Sequence, residues 1–194
     1  MRNFWIIFFF ISAIGCSVAQ DIVAKSKALI EVKKKLVVNR DSILLQNEYL
    51  KLFPSSEKEF KDIFHSEESL LHNKEIEYCY LLASVFKSNA DDAGLRLINI
   101  CTDFPERMKG KYDTGTIREV MMIYAYRYPD SFILNFNNLT KQKKRKLFTY
   151  LADVESHEFY RAYHMLLDKY KSLNKGIAEY LIKYRDLRIK DSHH

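Results

Sequence analysis

The chain has 194 residues, of which 47% are hydrophobic and 29% charged, and a formal net charge of +6. That length suits one domain or two small ones, and that balance excludes an intrinsically disordered chain. Only 5 Gly and 3 Pro stand against 13 Tyr and 13 Phe, which argues against sandwiches and barrels, whose turns recur every ~8–12 residues.

The chain opens on MRNFWIIFFFISAIGCSVAQ. One cation, Arg2, precedes an apolar run from Phe4 to Ile14, and small residues follow, the order of a secretory signal peptide. The run is about 11 residues long, whereas a membrane span needs roughly 20. Two cleavage readings stand. Ser17-Val18-Ala19 places small residues before Gln20 and predicts a leader of residues 1–19. Ala13-Ile14-Gly15-Cys16 resembles a lipoprotein box, with a leader of residues 1–15 and a lipid on Cys16. Plain cleavage is favoured, because Ala13 stands where such a box usually has Leu. Both readings predict an exported protein, periplasmic or secreted, or else anchored to the outer membrane by lipid. Residues 20–194 then form a single all-α domain.

Apolar residues recur at three- and four-residue spacing through the rest of the chain. The spacing predicts a helix over 21–37, with Ile22, Leu29, Ile30 and Leu36 apolar and Lys33, Lys34 and Lys35 on a solvated face. Asp41 or Ser42 caps a second helix to about 53. Pro54 ends it, and Ser56-Glu57-Lys58-Glu59 matches a capping box opening a short helix over 57–65. In that box Ser56 accepts the Glu59 amide and Glu59 returns to the Ser56 amide, while Phe53 and Phe60 pack across the corner. Helices over 74–87 and 90–103 follow, joined by a turn at Lys87–Asp92.

After the loop DFPERMKGKYDTG, Thr116-Ile117-Arg118-Glu119 reads as a second capping box, and its helix ends before Pro129. Asp130 to Asn137 is a short helix or turn; FILNF, Phe132 to Phe136, is the nearest approach to a strand. Thr140 caps a helix to about 153, Ser156 one to about 172, and the last covers 176–189. Helices of this length joined by short loops predict an all-α fold, either an irregular bundle or a short α-solenoid of stacked antiparallel hairpins.

Cys79 and Cys101 lie about equally far from the turn near residue 90, so an antiparallel pair would bring them level. A disulfide is one reading in an oxidising compartment; two buried thiols is the other. Neither sits in the accessible, electropositive setting of a cysteine nucleophile. Ser55 and Ser56 have no nucleophile elbow or base motif around them.

His157 and Glu158 invite comparison with a zinc-protease helix, but the next histidine, His164, is seven residues on, about 10 Å along the axis. His164 and Asp168 are one turn apart and could supply two ligands. Against that, His157, Arg161, His164, Asp168 and Lys171 form the wet stripe of an ordinary amphipathic helix whose apolar stripe is Phe159, Tyr163, Leu166 and Tyr170. No metal site and no cofactor is expected.

Thr140 to Lys146, TKQKKRK, holds Lys141, Lys143, Lys144, Arg145 and Lys146. A solvated helix start is the ordinary reading of such a run, but cations at a helix start are electrostatically unfavourable, which leaves room for a binding reason. An exported protein is out of reach of most nucleic acid, so an acidic protein or envelope component is the expected partner, and a membrane is met only through the lipid on Cys16. Tyr124, Tyr126 and Tyr128 alternate on one helix, so at least one must leave the core; Tyr126 joins the cations as an interface candidate.

The stretch LFPSSEKEFKDIF, followed by IEYCYLLASVFKS, resembles a loose group of small exported bacterial all-helical proteins with a Phe-Pro-Ser-Ser step before a Phe-bearing helix. The resemblance spans roughly Glu48 to Val154 and brings no catalytic residue. Some of the group are immunity-like, so it implies a protein that neutralises a toxin by occluding it. The expectation is therefore a non-enzymatic helical binding protein. The alternative is a cell-envelope enzyme or metal-binding protein using the His157–Asp168 face.

Overall fold

The computed structural model describes residues 2–103, 114–152 and 157–191, with the side chains of 20–103, 117–152, 161–187 and 190. Among the described residues there are ten α-helices and no strand. They form two compact units, Met1–Glu75 and Ile76–His194.

The first unit contains α1 (Arg2–Val38), α2 (Ile43–Leu52) and α3 (Glu57–Phe64). Leu29, Val32 and Leu36 recur on one face of α1 and are buried, as are Tyr49 and Leu50 of α2 and Phe60, Ile63 and Phe64 of α3. α1 packs on both other helices. Phe64 links Phe53 to Phe60, with ring centroids 6.0 Å and 4.8 Å away. Ser42, not Asp41, caps α2: its hydroxyl accepts from the Leu45 amide at 3.3 Å.

At the Pro54 corner Ser56 caps α3, accepting from the Glu59 amide at 3.3 Å. The return bond differs from the expected box. Glu59 Oε2 accepts from the amide and the hydroxyl of Ser55, at 2.7 Å and 2.8 Å, rather than from Ser56. Ser56 is extended, with φ −136° and ψ 162°. The carboxylate there meets both donors of Ser55, and Lys25 of α1 adds a salt bridge to Glu59 at 3.3 Å. Both serines thus serve the corner.

The second unit carries α4 (Glu75–Val85), α5 (Ala90–Asp103), α6 (Thr114–Arg127), α7 (Pro129–Asn138), α8 (Lys141–Ala152), α9 (His157–Leu173) and α10 (Lys175–Asp191). These pack as a helical bundle. α5 lies against α6, α7 and α8; α6 also meets α9; and α10 closes on α8 and α9. Pro129 occupies the first turn of α7, where its missing amide costs nothing. FILNF is therefore helical: Phe132 and Phe136 face inward at i, i+4 spacing, and the strand reading is set aside. α6 begins at Thr114, so Thr116 is already inside the helix and is not its cap. The Ser156 cap lies outside the described residues, and the side chains of residues 1–19, Cys16 among them, are not described.

One close approach organises α5 against α6. Tyr124 is fully buried, and its hydroxyl donates to the Ala90 carbonyl at 2.8 Å. Its ring lies directly over Gly94; a Cβ there would fall 1.8 Å from the Tyr124 oxygen. Asn135 of α7 donates to the Asp91 carbonyl at 2.8 Å and so ties the third helix to the same turn. Tyr170 of α9 repeats the device, donating to the Ala125 carbonyl at 2.9 Å. Burial pushes the pKa of both Tyr124 and Tyr170 well above the ordinary value.

Candidate functional site

The basic run starts α8. Thr140 caps the helix, its hydroxyl accepting from the Lys143 amide at 3.3 Å. The five cations that follow then separate into two sets. Lys143 reaches α5, donating to Asn99 Oδ1 at 2.8 Å and approaching Asp103 at 4.0 Å. The last turn of α5 is the negative end of its dipole, which favours a cation there. Lys144 lies over the Phe136 ring of α7, 4.4 Å from its centroid, and reaches the Asn137 carbonyl at 3.5 Å. These two side chains join α8 to α5 and α7. Lys141, Arg145 and Lys146 are exposed.

Of the three alternating tyrosines, Tyr126 is the one that leaves the core: Tyr124 is buried, Tyr128 half-buried and Tyr126 41% exposed. The ammonium of Lys169, on α9, sits 4.2 Å from the Tyr126 ring centroid and donates to the Tyr126 carbonyl. Tyr126 is thus built into the α6–α9 contact, whereas Lys143 and Lys144 of α8 face α5 and α7. The structure gives the two halves of the predicted surface different neighbours.

The amphipathic reading of α9 matches its burial: Tyr163, Leu166 and Tyr170 are buried, while Arg161, Asp168 and Lys171 are exposed. Asp168 pairs with Lys171 at 2.9 Å, and this bond holds its carboxyl below the ordinary value. The His164 ring packs edge-on against Tyr163. Among the described residues no group of three or more His, Cys, Asp or Glu is placed to hold a metal ion. The side chain of His157 lies outside the described residues.

Cys79 on α4 and Cys101 on α5 are both buried, and no disulfide joins them. Burial raises the Cys101 thiol far above its ordinary value despite the opposing charge of Arg118. Such a thiol is a packing group rather than a nucleophile.

Arg118 is the residue that sequence reasoning passed over. Its side chain is 8% exposed and its guanidinium stands 5.0 Å from the Tyr150 ring centroid. The signal was present in the spacing: Arg118 falls three residues before Met121 and seven before Ala125, on the buried face of α6. No protein-family profile, curated protein sequence or solved structure matches this chain.

Proposed function

We propose that the protein is an exported, non-enzymatic helical binding protein that occludes an acidic protein partner with the exposed cations of α8. The observation that carries this reading is the separation of the basic run. Lys143 and Lys144 are used internally, but Lys141, Arg145 and Lys146 are held out to solvent. Lys141 stands in the first turn of α8, where positive charge is disfavoured, and all three are exposed. An immunity-like protein that neutralises a toxin is the concrete form of this reading. Export rests on Arg2 and the apolar run from Phe4 to Ile14. In the finer architecture we propose, consecutive helices stack as antiparallel hairpins, supported by the direct packing of α5 on α6 and of α9 on α10.

The test is a charge reversal that spares the internal cations: Lys141→Glu, Arg145→Glu and Lys146→Glu together. The tagged protein, expressed in its own host, should recover one stoichiometric partner from envelope extracts, and added salt should weaken the capture. The triple variant should lose that partner while its unfolding midpoint stays unchanged. Retention of the partner by a folded triple variant would overturn the proposal.

A further inference from the structure

The corner between α1 and α2 displays four large apolar side chains to solvent: Val37 at 43% exposure, Val38 at 89%, Ile43 at 54% and Leu44 at 77%. Scattered single exposures are ordinary; four within eight residues on one corner are not. The corner is also firmly built. The Asn39 amide donates to the Lys35 carbonyl at 3.0 Å, and Ser42 caps α2. The buried side chain of Gln46 donates to the Arg40 carbonyl at 2.8 Å, pinning the turn from beneath. These bonds hold the turn, and the four apolar side chains beside it are exposed.

Around the tip, three exposed cations stand against two carboxylates, leaving a positive excess. Lys34 and Lys35 lie on the last turns of α1 and Arg40 in the turn itself, all exposed, with Asp41 beside them and Glu31 paired to Lys34 at 3.0 Å. An apolar tip with a basic collar matches the two layers of an anionic lipid surface. Short apolar groups enter the acyl boundary, and lysine and arginine meet the headgroup phosphates. A second copy of the chain fits poorly, because a two-fold contact through this patch would bring two basic collars together.

We infer that the α1–α2 corner is a membrane-docking tip for anionic lipid headgroups, independent of the α8 surface. The chain has a single tryptophan, Trp5, so a Trp5→Phe background lets one new tryptophan report locally. Val38→Trp and Leu44→Trp report from the tip, and Val23→Trp from an exposed site some 20 Å back along α1. Each full-length variant is mixed with vesicles of phosphatidylcholine alone, or of phosphatidylcholine and phosphatidylglycerol in equal parts.

The tip tryptophans should shift to the blue on the mixed vesicles only, while the Val23→Trp emission stays put. Adding Lys34→Glu, Lys35→Glu and Arg40→Glu should abolish the shift, at an unchanged unfolding midpoint. Three results would each overturn the inference. One is an equal shift at position 23, which would assign vesicle binding to the apolar N-terminal run. Another is a shift that grows with protein concentration without lipid, which would assign the tip to self-association. The third is no shift at the tip, which would leave it to a protein partner.

Discussion

Gly94→Ala sets two known effects against each other. In an ordinary helix interior the change stabilises by about 1 kcal/mol, because glycine loses more backbone freedom on folding. At Gly94 the new Cβ would lie 1.8 Å from the Tyr124 oxygen, 2.0 Å from its Cζ and 2.5 Å from its Cε1. The ring would have to retreat by roughly 1.5 Å to restore normal contact, and overpacking of that kind costs about 1–3 kcal/mol. Tyr124 is wholly buried, so the retreat also breaks its bond to the Ala90 carbonyl, worth about 1 kcal/mol. The costs exceed the helix gain, and the net expectation is a destabilisation of about 1–3 kcal/mol. Urea unfolding followed by far-UV circular dichroism measures it as a lowered midpoint at constant slope. A double-mutant cycle isolates the cause: in a Tyr124→Ala background the clash is gone, and Gly94→Ala should become neutral or stabilising. A raised midpoint for Gly94→Ala in the parent protein would refute the packing of Tyr124 on α5.

At the Pro54 corner, Ser56→Ala should cost about 1 kcal/mol through the lost cap, read by the same urea titration. The Glu59 pKa is depressed from 4.5 by the Ser55 amide first and then by the Ser55 hydroxyl and Lys25. Its contribution is therefore full above about pH 4.5 and is lost as pH falls through the lower folded value, so Glu59→Gln should flatten the acid limb of the stability–pH curve. An acid limb identical to the parent's would count against that role. Burial raises the Tyr78 phenol from 10.0 to about 12, and Tyr124 and Tyr170 further. Stability conferred by these neutral phenols is complete below pH 10 and falls as pH rises beyond it. Ultraviolet titration should therefore find a set of tyrosines that ionise only as the protein unfolds, and a single unshifted transition for all of them would contradict their burial. Cys79 and Cys101 should ignore Ellman's reagent until urea unfolds the chain; rapid reaction of both in native protein would refute their placement.

The helices were readable because their causes are local. The three- and four-residue spacing of Leu29, Val32 and Leu36, the caps at Ser42, Ser56 and Thr140, and the stops at Pro54 and Pro129 act within one or two turns of chain. The failures were local too, and small. Glu59 took the neighbouring serine, and α6 began two residues before its expected cap, within the fraying of any helix end. The leading function did not follow from those signals, because a surface is defined by what remains after packing. From the sequence, five cations of α8 looked alike; only the approach of α5 and α7 distinguished Lys143 and Lys144, which hold the bundle, from Lys141, Arg145 and Lys146, which face solvent. Likewise Val38 and Leu44 are apolar residues of ordinary helical sequence, and only the packing of their unit leaves them exposed at the turn. Periodicity, caps and proline stops together determined that the described residues are helical and roughly where the helices run. Which side chains are spent inside and which are offered outside was decided by long-range packing, since burial depends on neighbours far away in sequence that no local pattern encodes.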